Sequence, residues 1–182
     1  MKSIAKHIQI AALGLCGAAS LFLAAGCTSP AQSKGMTPVG FKVGRQHPGS
    51  VIVHTEGGAK TETGMPAISA PAFREALVAA INESRAFSSV REQPPADFRL
   101  SVSVVSTKAS GAATVHIAQS TRWQLTRLSD KSVLMNEFVT ANGKATMGDA
   151  IVGITRARKA LERAGQESIK QGLIKLSELD LH

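Results

Sequence analysis

The spacing of apolar side chains changes several times along the chain, and each change marks an element. Residues 8 to 26 are almost continuously apolar or small, interrupted only by Gln9 and Ser20. From Thr28 to about Gly49 the pattern dissolves into Ser29-Pro30, Ser33, Gly35, Pro38, Gly40, Gly44 and Pro48-Gly49, the composition of a linker. Ser50-Val51-Ile52-Val53-His54 is a β-branched run between Pro48-Gly49 and Gly57-Gly58, which predicts a strand. Phe73, Leu77 and Ile81 then recur every fourth residue with Ala76, Ala80 and Ser84 beside them, one inward stripe of a helix. Ser69 is a good N-cap for it, and Pro71 is tolerated in its first turn. Ser-Ser and then Pro94-Pro95 end that segment.

Three strands are expected next. Phe98, Leu100, Val102 and Val104 alternate with Arg99, Ser101 and Ser103, the period of a half-buried strand. Val115, Ile117, Trp123 and Leu125 share one parity within residues 114 to 128. A third, less regular strand covers Val133 to Thr140. Ser110-Gly111, Ser129-Asp130-Lys131-Ser132 and Asn142-Gly143 read as turns. A final helix is expected from about Asp149, its cap, to Leu179. Ile151, Ile154, Leu161, Ile169, Leu173, Leu176 and Leu179 supply its apolar face, with Ala157 and Ala164 as close-approach positions. Gly165 and Gly172 each cost such a helix up to about 1 kcal/mol relative to Ala, and mark either a bend or close packing. The order β-α-β-β-β-α predicts an α+β, two-layer sandwich: an antiparallel-rich four-stranded sheet with two helices on one face. Ser101, Ser103, His116, Arg122, Gln124 and Arg127 would then lie on the open face.

The chain has 182 residues, 43% of them hydrophobic and 19% charged. One domain with room for an anchor fits these values, and a wholly disordered chain or a polytopic membrane protein does not. With six Phe, one Trp and no Tyr, small and aliphatic residues must fill most of the core. Two cysteines, Cys16 and Cys27, support neither a disulfide framework nor a Cys-based zinc site.

The address is the sharpest signal. Lys2 and Lys6 form a positive start, an apolar stretch follows, and small residues close it at Leu23-Ala24-Ala25-Gly26-Cys27, the pattern of a secretory signal. With Cys directly after the small residues, the segment resembles the bacterial lipobox. That resemblance implies cleavage between Gly26 and Cys27 and acylation of Cys27, which becomes the first mature residue. Ala24 stands where Leu is commonest. The alternative is an uncleaved membrane helix, since about 18 apolar residues nearly span a bilayer. Thr28 and Ser29, rather than Asp, follow the cysteine, which by the same resemblance implies the inner leaflet of the outer membrane. The expected organisation is a signal peptide over 1–26, a lipidated Cys and flexible tether over 27–49, and a periplasmic domain over 50–182. Cleavage leaves 156 residues carrying 19 basic and 13 acidic side chains, a formal charge of +6. Such a balance favours anionic lipid or other acidic partners, and nucleic acid is not expected at this address.

The lipobox, the Gly49-Ser50-Val51-x-Val53 strand, the Phe73-x-x-Ala76-Leu77 helix, three strands and a closing helix ending Leu176-Ser177-x-Leu179 resemble small uncharacterised proteobacterial lipoproteins. In layout the chain is similar, more distantly, to the auxiliary lipoproteins of ABC-type lipid transport systems and to the lipopolysaccharide-assembly lipoprotein. The resemblance implies a non-enzymatic partner of envelope proteins or lipid and supplies no catalytic residue.

Candidate chemistry is sparse. The histidines His47, His54, His116 and His182 show no metal-ligand spacing, and His54 and His116 have no third ligand in view. No nucleophile elbow surrounds Ser50 or Ser110. Glu56-Gly57-Gly58-Ala59-Lys60 lacks the remainder of a phosphate loop. Glu137 is the one acid on an expected strand, too little for a carboxylate pair. No catalytic residue, metal or cofactor is therefore expected. The remaining feature is a basic stripe, Arg156, Lys159, Arg163 and Lys170, on the last helix. It offers a contact for headgroups or an acidic partner, or simply a solvated face with local ion pairs. Trp123 is expected in the core or as a partner-facing anchor. The leading expectation is a lipid-anchored binding or assembly factor. An envelope hydrolase or transferase is the alternative, and a subunit stacked into an assembly is a third reading.

Overall fold

The computed structural model describes residues 30–56, 58 and 65–181. Gly26, Cys27 and His182 lie outside the described residues. Along the chain the elements are α1 (Ser33–Met36), β1 (His47–Glu56), α2 (Ala70–Ser84), β2 (Phe87–Arg91), β3 (Phe98–Ser110), β4 (Val115–Arg127), β5 (Val133–Ala145) and α3 (Gly153–Glu178). The strands form one mixed sheet in the order β2-β1-β3-β4-β5. β1 runs parallel to both of its neighbours, while β3-β4 and β4-β5 are antiparallel. The α+β class and the helices packed on the sheet stand, but the sheet has five strands rather than four, and it is mixed rather than antiparallel-rich, with two of its four pairings parallel.

The additional strand is β2. Ser88 and Ser89, expected to end the helix region, pair instead with the start of β1. The reversal happens at Arg85, whose φ of 56° lets α2 stop within one residue while the Ala86 N–H donates to the Ile81 carbonyl. A parallel β1–β2 pair needs a crossover, and α2 is that crossover. Its N-terminus is as expected: the Ser69 hydroxyl accepts from the Ala72 N–H. Phe73, Ala76, Leu77, Ala80, Ile81 and Ser84 are its buried stripe.

β5 runs past Asn142-Gly143, expected as a turn, to Ala145. Gly143 pairs with Ile117 of β4. A Cβ on Gly143 would lie 1.9 Å from the Ala160 carbonyl oxygen. The glycine is there so that the α3 backbone can lie directly on the strand, not to reverse the chain. α3 also starts later than expected. Val152 is its N-cap and makes no side-chain cap bond. Asp149 accepts instead from the Thr146 N–H and from Arg163.

The inward faces of all five strands, α2 and α3 share one core. Trp123, Leu125, Leu100, Ile169, Leu173 and Leu176 are at its centre, each fully buried. The Trp123 Nε1–H donates to Thr121 Oγ1 at 2.9 Å, and Thr121 Oγ1 meets Ser168 Oγ at 2.8 Å. The polar atoms of this layer are thereby satisfied between β4 and α3.

The segment expected as a free tether is largely part of the body. Ala31 and Met36 are 2% and 0% exposed, and α1 packs against α2 and α3. The Gln32 N–H donates to Glu162 Oε1, and Gln166 Nε2–H donates to the Thr37 carbonyl. His47, assigned to the tether side of the boundary, is the first residue of β1. It is buried, and its Nε2–H donates to the Leu176 carbonyl at 2.9 Å. The local composition is that of a linker, but one buried methionine and three long-range hydrogen bonds outweigh it.

Candidate functional site

The basic residues of α3 are the natural place to begin, because they carried the expected contact. Arg156 is buried. Its Nη1 donates to the carbonyls of Ala150 and Ile151 at 2.8 and 2.7 Å, and its Nη2 to that of Ala112 at 2.8 Å. Lys159 Nζ donates to the Asp149 carbonyl at 2.6 Å. Arg163 grips both carboxylate oxygens of Asp149 and also reaches the Lys144 carbonyl. Lys170 lies 3.9 Å from Glu167 one turn away. Three of the four charges thus hold the β5–α3 loop and the β3–β4 hairpin in place, and they do not form a free cationic stripe. The sequence reading followed spacing along one helix and had no means of seeing carbonyls from other elements.

The same contacts shape the electrostatics. The Arg163 guanidinium, then the Thr146 N–H, hold the Asp149 carboxyl well below the usual carboxylate range, and Asp149 in turn raises Arg163. At the opposite end of the sheet the Ser50 N–H and hydroxyl, each 2.7 Å from Asp97 Oδ2, lower the Asp97 carboxyl. That clamp ties the start of β1 to the start of β3.

The remaining candidates do not converge. His54 is exposed and faces Glu56 at 3.7 Å. It pairs in register with Ser101, whereas His116 pairs with Ser110 at the far end of β3. Nine residues of strand separate the two positions, about 30 Å. Glu137 is paired with Lys175 at 2.5 Å, which raises the Lys175 ammonium. Trp123 belongs to the core. Among the described residues no three His, Cys, Asp or Glu side chains come together as metal ligands. No described helix is long and apolar enough to cross a membrane. An apolar slot between the sheet and α3 is lined by Met65, Pro66, Thr107, Ala109, Ile117, Ala157 and Leu161, and leaves about 10 Å³ of free space, the room of a single water. The fully buried amide of Gln119, whose Oε1 and Nε2 meet no protein partner among the described residues, stands cross-strand from Thr107 of that lining.

What the structure gathers instead is one end of the molecule. The β3–β4 hairpin, the β5–α3 loop, residues 65–68 and the entry of the chain at Ala31 all meet around the first turns of α3. The Ala31 N–H donates to the Ala67 carbonyl, and Gln32 meets Glu162. Ile151 and Ile154, expected on the buried face of α3, are exposed here, at 84% and 36%, as are Val152 at 60% and Met147 at 57%. The apolar face of α3 begins only at Ala157.

No protein-family model and no curated protein sequence matches the chain. Solved structures do match it. A protein of Xanthomonas campestris assigned to family DUF330 superposes with a TM-score of 0.58 at 14% identity, covering 78% of this chain and 90% of that one. A hypothetical protein of Chlamydia trachomatis gives 0.51 at 12% identity over 71% and 96%. The PelC dodecamer subunit of Paraburkholderia phytofirmans gives 0.50 at 14% identity over 73% and 89%. At these identities the likeness shows the fold: a mixed sheet carrying helices on one face is a shared architecture, and it does not transfer an activity.

Proposed function

We propose that the chain is a bacterial lipoprotein, anchored through acylated Cys27 to the periplasmic face of the outer membrane, whose domain binds an envelope protein or lipid rather than catalysing a reaction. The observation that carries the reading is Cys27 directly after Leu23-Ala24-Ala25-Gly26, with Thr28 and Ser29 behind it. Three acyl chains exceed the two signals needed for stable anchoring. The non-enzymatic part is supported by the scattering of the candidate groups: His54 and His116 stand at opposite ends of β3, and Glu137 is occupied by Lys175. An envelope assembly or transport role follows the layout similarity to auxiliary lipoproteins.

The test is the mass of the N-terminal peptide from protein expressed in a Gram-negative host and recovered from membranes. Acylated Cys27 as first residue is expected, together with sedimentation in the outer-membrane fraction. Cys27→Ala is expected to release a folded domain from that fraction. A wild-type chain that retains residues 1–26, or that is not acylated, overturns the reading.

A second reading has its own observation. β5 is a sheet edge of 13 residues with Phe138 61% and Val133 53% exposed, and exposed edges invite pairing with another chain. PelC, one of the structurally similar proteins, forms a dodecamer. Light scattering of the detergent-solubilised protein across concentration tests for self-assembly.

A further inference from the structure

Met147, Ile151, Val152 and Ile154 are four exposed apolar side chains within eight residues. Exposed hydrophobics scattered singly need no explanation, but a contiguous group at one tip does. Nor is the tip a frayed loop. The Thr146 N–H donates to the Asp149 carboxylate, which Arg163 grips; the Asp149 carbonyl is held by Lys159, and the Ala150 and Ile151 carbonyls by the buried Arg156, which also fixes the hairpin at Ala112. A fixed backbone therefore presents these side chains outward. Toward the same ends of β3 and β5, Lys108 and Lys144 are exposed and without an acidic partner among the described residues, while Asp149 is paired with Arg163.

The position of the chain's entry selects the occupant. Residues 32 to 37 run along α3 from Glu162 to Gln166, so tracing them backward leads toward the α3 N-terminus and this tip. Only Thr28 and Ser29 separate Cys27 from Pro30, so Cys27 lies within about 11 Å of Pro30 even when fully extended. Glu162 is nine residues into α3, about 14 Å from its start. An acyl group on Cys27 thus holds this end of the domain, and no other, against the bilayer.

We infer that the tip is a membrane seat: Met147, Ile151, Val152 and Ile154 enter the headgroup region of an anionic phospholipid surface, and Lys108 and Lys144 rest against its phosphates. The inference rests on the lipoprotein reading. It fixes the orientation of the domain, with the α3 N-terminus down and the β4–β5 turn pointing away from the membrane.

The experiment uses full-length, lipidated protein in vesicles of phosphatidylethanolamine and phosphatidylglycerol. Acylation of Cys27 and vesicle flotation are established first, so that failure of the anchor and failure of the seat are separate results. An environment-sensitive fluorophore is attached at Ile151→Cys or, as a control, at Ser129→Cys in the β4–β5 turn. Insertion of interfacial side chains reaches about 5–10 Å, so lipids with a quencher near the headgroup are used. Quenching and a blue shift at position 151, with neither at 129, are expected. The double variant Ile151→Asp, Val152→Asp changes exposed side chains and leaves the core intact; it should abolish quenching of a label at Met147→Cys. Equal, weak quenching at 151 and 129 in acylated, floating protein overturns the seat alone. Protection of the 151 label in detergent without vesicles, rising with protein concentration, also overturns it and makes the tip an interface between copies. A chain that is not acylated overturns both readings.

Discussion

Gly172 of α3 sits under the indole of Trp123: a Cβ there would lie 2.2 Å from the ring. The fully buried indole donates its N–H to Thr121 Oγ1, which Ser168 holds in turn, so the ring has little room to step aside. Gly172→Ala gains up to about 1 kcal/mol of helix propensity but overpacks the core, at about 1–3 kcal/mol. Net destabilisation is expected in urea titration, read by Trp123, the one tryptophan. Gly165→Ala is the contrast. Its nearest neighbour is the flexible thioether of Met36 at 2.9 Å, which can rotate away, so this variant should lose less stability. The two glycines are equivalent in the sequence pattern, and what faces them separates them.

Single elements here are fixed by side chains reaching across to backbone carbonyls. Arg156 satisfies three acceptors on two loops, a fork that a lysine cannot reproduce. Arg156→Lys should therefore cost about 2 kcal/mol or more, since bonds to charged groups are worth about 1.5–3 kcal/mol each. Thermal denaturation checks the cost, and hydrogen exchange should localise the loosening to residues 110–114 and 146–152. Asp149 makes the acid response of the same loop. Because its folded carboxyl ionises more readily than the unfolded one, its contribution is complete above about pH 4 and is lost as pH falls toward the depressed value. Wild type should lose stability below about pH 4. Asp149→Asn, already without the ion pair, should start less stable at neutral pH and lose less over that acid range. Urea midpoints measured at stepped pH give both curves.

For the molecule as a whole, the boundary between anchor and body matters most. Met36 is fully buried, so Met36→Ala should cost about 2–5 kcal/mol, whereas a residue of a free tether would cost nothing. A denaturation curve decides between them. If residues 31–46 belong to the fold, the anchor has a reach of about 11 Å, not the roughly 70 Å that 20 extended residues allow. On the proposed acylation of Cys27, the domain would then be held at the membrane surface instead of ranging away from it. The sheet, with helices on one face only, leaves Ser101, Ser103, His116, Arg122 and Gln124 on the other, exposed or half-buried as the alternation implies.

Local periodicity carried a long way in this chain. The stripe of α2 with its Ser69 cap, the alternation of β3 and β4, the turn at Ser110-Gly111 and the reversal at Ser129–Ser132 were all legible, because each is set by neighbours within a few residues. The resemblance of Leu23–Cys27 to a lipobox is likewise local, and the anchoring it implies is a proposal. Tertiary structure alone decided the rest. β2 is five residues with two serines, too short and too polar to show a period, and it exists because β1 offers it an edge. Asn142-Gly143 looks like a turn until α3 is laid on it. Arg156, Lys159 and Arg163 read as a charged stripe until carbonyls from two other loops arrive at their tips. Ile151 and Ile154 continue the apolar series of α3 on paper, but the helix begins at Gly153 and leaves the core beneath them behind. For β2, Gly143 and the Ala112 contact of Arg156 the deciding partner lies far away in sequence, and a local pattern contains no information about it.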